Sequence, residues 1–308
     1  MTDARSKSDL ELFETNPALF LERVIKEYTA ISPKNAFSAF SGNPIFDEPL
    51  VGFADGDDSI FQEYKVLVGD FHLTPREALE MGLRGKGTGS IKRPSKVSVI
   101  SWALPITHVT RLSMRREFLI PSLRWNHTRW QGAEFSIALS DYLVCLLEEM
   151  GYQAISPNNE KFFIEVDDIA SNWSQRHIAY AAGLGTFSLN DGFISPKGIA
   201  VRLGSVVSDI SLPPSRRTYS DHLANCAFYH DKSCRRCIER CPANAISEQG
   251  HDKRKCHEFV KRGQAVILKQ LGREEGYIGH YLACGTCQTK VPCEDRIPPV
   301  NSAKSRKK

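Results

Sequence analysis

Apolar residues recur at helical spacing in two stretches of the chain, and both stretches predict amphipathic helices. The first begins after Asn16, a good N-cap that is followed by proline, and carries a stripe of apolar residues as far as Tyr28. The second runs from about Gln131 to Met150, where a glycine ends it. Cys145 lies within two residues of the second stripe, so we expect it to pack in the core.

Three apolar runs predict strands, at residues 97–104, 162–166 and 199–207. After the second run, Asp167 and Asp168 are expected to precede a helix that continues to about Ala182. Helices and strands therefore alternate between residues 97 and 207, which favours a mixed α/β domain. Residues 41–95 are rich in glycine, proline and charge and predict loops with short elements.

These patterns divide the 308-residue chain into four segments. We expect a helical and loop-rich region at 1–95, an α/β domain at 96–213, a cysteine-rich domain at 214–297 and a basic tail at 298–308. The formal charge is +4, and the tail contributes several of the lysines and arginines. No window approaches the roughly 20 apolar residues that span a bilayer, so neither a membrane segment nor a membrane partner is expected. The reduced state expected of the cysteines favours the cytoplasm.

Eight of the nine cysteines follow residue 225, in two blocks. The blocks are Cys226-x7-Cys234-x2-Cys237-x3-Cys241-Pro242 and Cys256 with Cys284-x2-Cys287-x5-Cys293. The run C-x2-C-x3-C-P is typical of bacterial ferredoxins, in which the cysteine before proline ligates the other cluster. The blocks predict two 4Fe–4S clusters with crossed ligands. One set would be Cys226, Cys234, Cys237 and Cys293, and the other Cys241, Cys256, Cys284 and Cys287.

Zinc is the main alternative, because paired C-x2-C motifs also form four-thiolate zinc sites. Three features favour iron–sulfur clusters instead. They are the C-x3-C-P ending, the duplication of the block, and the eight cysteines, which make two complete sets of four ligands. Small apolar residues between the cysteines, among them Ala245 and Ile246, are expected to shield the clusters from water.

A ferredoxin needs only the last third of this chain, so the preceding residues are expected to hold a second redox centre. No Walker or Rossmann nucleotide loop is present. Gly183-Leu184-Gly185 matches only the start of G-x-G-x-x-G, has Ser188 in place of the third glycine, and ends a helix instead of opening one.

Two further motifs resemble a known family. Residues 175–185 read QRHIAYAAGLG, and residues 203–209 read LGSVVSD. They resemble the A-G-L-G helix and the L-G-E-L-x-T-D strand of epoxyqueuosine reductases and, more distantly, reductive dehalogenases, with Ser205 as the clearest departure. The resemblance implies a nitroreductase-like α/β domain that carries cobalamin, followed by a ferredoxin-like domain with two 4Fe–4S clusters.

The resemblance also implies functional residues. Asp167 or Asp168 stands where the family has its acid, although an aspartate in front of a helix also serves as a partner of free amides. Arg176 would contact the corrinoid unless it is an ordinary exposed helical arginine. Further positions expected near the cofactor are Gly183, Gly185, Ser188, Asn190 and Gly198.

The function implied is that of a reductase in which a ferredoxin- or flavodoxin-type donor supplies low-potential electrons through the clusters to a corrinoid. Its substrate would be a modified tRNA or a small molecule. Two alternatives are a corrinoid-free electron-transfer protein and a reductive dehalogenase-like enzyme.

Overall fold

The computed structural model describes residues 6–86 and 94–299. The basic tail predicted at 298–308 therefore lies almost wholly outside the described residues. The helices are α1 Lys7–Thr15, α2 Pro17–Ile31, α3 Ile60–Leu67, α4 Pro75–Gly85, α5 His108–Arg115, α6 Leu123–Glu149, α7 Gln175–Ala181, α8 Ala227–Asp231, α9 Arg236–Glu239, α10 Lys253–Glu258 and α11 Gln264–Gln270. The strands are β1 Leu50–Asp55, β2 Ser98–Pro105, β3 Ala154–Ile155, β4 Glu165–Val166, β5 Ala170–Ser171, β6 Thr186–Phe187, β7 Phe193–Ile194, β8 Val201–Ser208, β9 Ile246–Ser247 and β10 Gly250–His251.

A four-stranded antiparallel sheet in the order β1-β2-β8-β3 forms the centre of the molecule. Side chains alternate between its faces. Ile100, Trp102 and Leu104 pack with α2 and α6 on one face, whereas Val99 and Val207 pack with α4 and α7 on the other. Helices thus cover both faces of the sheet, and the mixed α/β architecture predicted from the sequence is confirmed.

The predicted helix after Asn16 is confirmed as α2. Asn16 is its N-cap, because its side chain accepts a hydrogen bond from the Leu19 amide. The second predicted helix is confirmed as α6, which begins at Leu123, eight residues earlier than expected. Cys145, however, is exposed, so its predicted place in the core is wrong. Two residues along an α-helix rotate a side chain by about 200°, which turns Cys145 away from the buried Leu143.

Residues 41–95 hold more regular structure than was predicted. Besides α3, they contain the sheet strand β1 and the helix α4, which opens with a reciprocal capping box between Thr74 and Glu77. This segment is rich in glycine and proline, yet Phe53 and Leu79 are buried on the two faces of the sheet.

The strand predicted at 162–166 is reduced to β4, which pairs with β5 in a hairpin with a three-residue loop. Asp167 and Asp168 form the turn, with φ angles of 52° and 59°. Their predicted place directly before a helix is therefore wrong. Aspartate tolerates left-handed backbone in such turns, which favours this hairpin over a helix start.

The segment that carries the cysteines, residues 226–293, is called the cysteine region below. It contains four short α-helices and the two-residue strands β9 and β10. Helix α10 continues through a π-helical segment, Phe259–Gly263, into α11. Helix α6 packs against it closely. A Cβ atom on Gly285 would lie 2.1 Å from the Trp125 ring, and one on Gly279 would lie 1.9 Å from Trp130. Glycine at these two positions lets both indoles pack directly on backbone.

Candidate redox site

The eight clustered cysteines fall into two groups in the structure. A small apolar hollow of about 20 Å³ is lined by four of them, and these are Cys226, Cys234, Cys237 and Cys293. Burial raises the pKa of the Cys237 thiol to about 12, with further contributions from Cys226 and Cys234. Burial also raises the pKa of Cys293, with Cys226, Cys237 and Cys234 as the next causes. These four sulfurs therefore lie close enough to repel one another as thiolates.

In the second group, neighbouring cysteines likewise raise the pKa of one another's thiols. Burial raises the pKa of Cys256 to about 11, followed by the influence of Cys284 and Cys241. The pKa of Cys287 is raised well above its usual value by burial, and then by Cys284 and Cys256. Thiols packed together in this way are a donor set suited to a cationic centre, because coordination stabilises thiolates. Among the described residues, no three Cys, His, Asp or Glu side chains converge around a single ion position.

Apolar side chains shield both groups from water. Leu189, Ile194, Phe228, Ala245 and Ile246 are buried in one cluster with Cys226 and Cys241. A backbone amide points at sulfur within this shell, since the Ala245 N–H donates to Cys241 Sγ at 3.3 Å. A dry shell and N–H···S contacts are features that tune iron–sulfur clusters. The donor set and its surroundings therefore fit such clusters.

Next to the cysteine region lies a cavity of about 730 Å³, called the large cavity below. Helix α6, strand β8, helix α7 and the β4–β5 hairpin form its walls. The cysteine region contributes Lys253, which lies three residues before Cys256, and Gln288, which follows Cys287. The large cavity thus borders the second cysteine group. Its volume is in the range of pockets that bind organic cofactors.

The two aspartates differ in their relation to the large cavity. Asp168 lines it, and its Oδ2 lies 3.7 Å from Nε2 of His257. Asp167 does not line it, and instead pairs with Arg254 at 3.3 Å. Both side chains are more than two-thirds exposed. A carboxyl at the edge of the cavity can exchange protons with solvent without rearrangement.

Arg176 is half-buried and lines the large cavity, so it is not an exposed helical arginine. Its guanidinium donates to the backbone carbonyl of Asp191. His177, on the same helix, also lines the cavity, and burial lowers its pKa to about 3. Its Nδ1 lies 2.8 Å from the hydroxyl of Ser174. A neutral imidazole and a fixed guanidinium therefore stand side by side in this wall.

The remaining predicted positions lie elsewhere. Ser188 and Asn190 line the hollow of the first cysteine group, and Asn190 Nδ2 donates to the Cys287 carbonyl at 2.9 Å. Gly183, with φ +74°, ends α7 in a left-handed turn. On Gly185, a Cβ would lie 2.3 Å from the Ile194 carbonyl oxygen. Gly198 packs against the backbone that follows Cys293.

Residues of the large cavity that the sequence reasoning missed include Arg202 on β8. An arginine in an otherwise apolar strand was the available signal. The sequence alone does not show that Arg202 and Arg129 of α6 line the same cavity. Burial and then the charge of Arg129 lower the pKa of Arg202 to about 10.

Comparison with known proteins gives two matching curated relatives. The chain is 28% identical to an epoxyqueuosine reductase of Bacillus anthracis over 163 residues, and 24% identical to one of Bacillus cereus over 163 residues. Each match covers 52% of this chain and 39% of the relative. No family model matches the chain. The chain is therefore similar to epoxyqueuosine reductases over about half its length, and the resemblance predicted from the motifs is confirmed.

Two solved structures of epoxyqueuosine reductases also align with the chain. A selenomethionine-labelled epoxyqueuosine reductase covers 92% of this chain, at 17% identity and a TM-score of 0.43, and 68% of that protein is covered. An epoxyqueuosine reductase solved with an epoxyqueuosine-modified tRNA-Tyr stem loop covers the same shares, at 18% identity and a TM-score of 0.44. Within residues 6–86 and 94–299, no helix combines the length and apolar character required to cross a bilayer.

Proposed function

We propose that this chain is a cytoplasmic iron–sulfur reductase of the epoxyqueuosine reductase type. In this proposal a nitroreductase-like domain at 96–213 holds cobalamin in the large cavity, and a ferredoxin-like domain at 214–297 holds two 4Fe–4S clusters. The observation that carries it is the large cavity, whose wall includes Lys253 and Gln288 from the segments that carry Cys256 and Cys287. A redox centre in that cavity would be next to its electron supply.

The proposed ligands are the two crossed sets expected from the sequence, and the shared lining and burial of the cysteines support them. Cys226, Cys234, Cys237 and Cys293 would hold one cluster, and Cys241, Cys256, Cys284 and Cys287 the other. When bound, the clusters relay single electrons from a ferredoxin- or flavodoxin-type donor, and the corrinoid supplies the reductive chemistry. The thiolates would fix the clusters in a dry shell, while residues of the large cavity position the substrate.

Asp168 is the better candidate for the proton donor, because it lines the large cavity whereas Asp167 does not. Its exposed carboxyl would take protons from solvent and deliver them at the cavity edge. His177 stays neutral under ordinary conditions, since burial depresses its pKa, and would contribute a fixed hydrogen-bonding surface. The substrate is a modified tRNA or a small molecule.

A binding experiment tests the cofactor part of this proposal. Protein reconstituted anaerobically with iron and sulfide is mixed with cobalamin, and free corrinoid is removed by gel filtration. About one cobalt per chain is expected to stay bound. Protein that keeps its iron but retains no cobalt would overturn the corrinoid assignment and leave a corrinoid-free electron carrier.

A turnover experiment tests the substrate and the acid. The loaded protein, with a low-potential reductant, is expected to convert epoxyqueuosine in tRNA to queuosine. Asp168→Asn should lower the rate about a hundredfold, because general acid catalysis typically contributes that much. Asp167→Asn is the matched control and should change it little. Loaded protein that leaves tRNA unmodified would rule out the tRNA and direct the search to small electrophiles.

A further inference from the structure

Arg202 is a half-buried cation that has no protein counter-ion among residues 6–86 and 94–299. It lies on β8 opposite Leu104 of β2 and lines the large cavity. Across residues 6–86 and 94–299 its guanidinium has neither a hydrogen bond nor an ion pair to the protein. Arg111, also deep in the protein, shows the usual pattern, with Glu294 at 3.3 Å. A desolvated guanidinium is costly unless something pairs with it.

Arg129 brings a second guanidinium to the same wall. Its Nε donates to the hydroxyl of Tyr281 at 2.6 Å, and its plane lies over the Tyr281 ring, 5.2 Å from the centroid. This contact with the cysteine region holds the side chain in place, while the terminal Nη groups have no described partner. Two positive side chains thus line the same cavity. Their mutual repulsion is unfavourable, and the contacts among the described residues do not offset it.

The charges around the large cavity do not cancel. Four cations line it, Arg129, Arg176, Arg202 and Lys253, against the two carboxylates of Glu165 and Asp168. Arg176 is bound to the Asp191 carbonyl, and Lys253 lies 3.8 Å from the Asp191 carboxylate. The uncompensated positive charge is therefore concentrated at the pair Arg129 and Arg202, which we call the arginine pair.

We propose that the arginine pair binds a phosphate-type oxyanion of the molecule that occupies the large cavity. Guanidinium forks match the oxygens of phosphate in two-point contacts, and two of them suit a group with several acceptor oxygens. The proposal rests on the proposed function, since that function supplies two sources of such a group. One is the phosphodiester of the corrinoid nucleotide loop, and the other is a phosphate of a nucleotide substrate.

The first test uses inorganic pyrophosphate as the probe, on protein reconstituted with its clusters, by calorimetric titration at low salt. Wild-type protein is expected to bind it, and Arg202→Gln should weaken binding about tenfold or more, as expected for a lost charge-assisted hydrogen bond. Arg129→Gln should act in the same direction. Arg84→Gln removes an exposed charge on α4, outside the cavity, and should have no effect. Iron content reports whether each variant is folded.

A second comparison identifies the source of the phosphate. If it belongs to the corrinoid, Arg202→Gln should weaken cobalamin binding about tenfold while leaving cobinamide, which lacks the nucleotide loop, unchanged. If it belongs to the substrate, both corrinoids should bind as before, while the modified tRNA stem loop binds less tightly. Arg202→Lys keeps the charge but not the fork and should lie between wild type and Arg202→Gln.

The proposal is overturned if wild-type protein does not bind pyrophosphate, or if folded Arg202→Gln and Arg129→Gln bind it as tightly as wild type. It is also overturned if Arg202→Gln weakens cobalamin and cobinamide equally, because the arginine would then contact the macrocycle. Failure of wild-type protein to bind any corrinoid would contradict the proposed function alone, since the pyrophosphate titration still decides the role of the arginine pair.

Discussion

The region that carries the sheet, residues 6–86 and 94–213, is called the α/β region here. It and the cysteine region are stabilised in different ways. The α/β region has a four-stranded sheet with a buried core on each face, which includes Trp102 and Phe135 on one face and Val99 and Leu79 on the other. The cysteine region has only two-residue strands, and its core consists largely of Phe228, Ile246 and the thiols themselves. The comparison indicates that the first region folds through hydrophobic burial. Under the proposed function, the second region would need its clusters in order to hold its shape.

The largest expected effect comes from removing iron. A chelator applied under reducing conditions should abolish hydrogen-exchange protection in α9 and α10 while β2 and β8 keep theirs. Structural metal sites contribute on the order of 10 kcal/mol to folding, far more than the small apolar core here can replace. Hydrogen exchange read by mass spectrometry checks this. Equal protection of α9 and β2 after iron removal would contradict the proposed difference.

The next effect concerns the contact between the two regions. Glu294 is 2% exposed and pairs with Arg115 at 2.8 Å and with Arg111 at 3.3 Å. Glu294→Gln should lower the free energy of unfolding by about 3 kcal/mol, because it removes the carboxylate beside the buried Arg111 guanidinium and leaves it, among the described carboxylates, only Asp295 at 3.6 Å. Glu239→Gln breaks an exposed pair with Arg236 and should cost about 0.5 kcal/mol. Urea unfolding measures both; similar losses would show that burial of Glu294 is unimportant.

Acid should weaken the α/β region through His72, which is fully buried. Burial lowers its pKa to about 4, whereas the unfolded chain binds the proton near pH 6.5. Stability contributed by the neutral imidazole is therefore present above pH 6.5 and is lost as pH falls towards 4. Unfolding at pH 7 and pH 5 should differ by about 2 kcal/mol from this residue. His72→Gln should remove that difference, and an unchanged pH dependence would contradict it.

The smallest expected effect concerns the close backbone contact at Gly198. Its φ is +85°, and a Cβ would lie 2.4 Å from the backbone nitrogen of Asp295. Gly198→Ala should therefore cost about 2 kcal/mol, from backbone strain and displacement of the segment after Cys293. Gly272→Ala, at φ +59° with open space around it, should cost only the strain, about 1 kcal/mol. Equal losses in thermal unfolding would show that the Asp295 contact is loose.

The sequence predicted what local spacing determines. The cap at Asn16 and the strand now seen as β2 both follow from nearby residues. The turn at Asp167 and Asp168 was misjudged, because aspartate favours both a helix start and a left-handed turn. The arginine pair and the Glu294 contact were out of reach, since each joins residues far apart in the chain that only the folded sheet and α6 bring together.

The central claim is that the cysteines form two crossed groups, each holding one 4Fe–4S cluster. Iron content and Mössbauer spectra of two double variants test it most directly. Wild-type protein should contain about eight irons, and Cys237→Ser with Cys293→Ser, both from one group, should retain about four. Cys256→Ser with Cys293→Ser, one from each group, should retain almost none. A reversed result, or iron lost equally from both variants, would contradict the crossed arrangement.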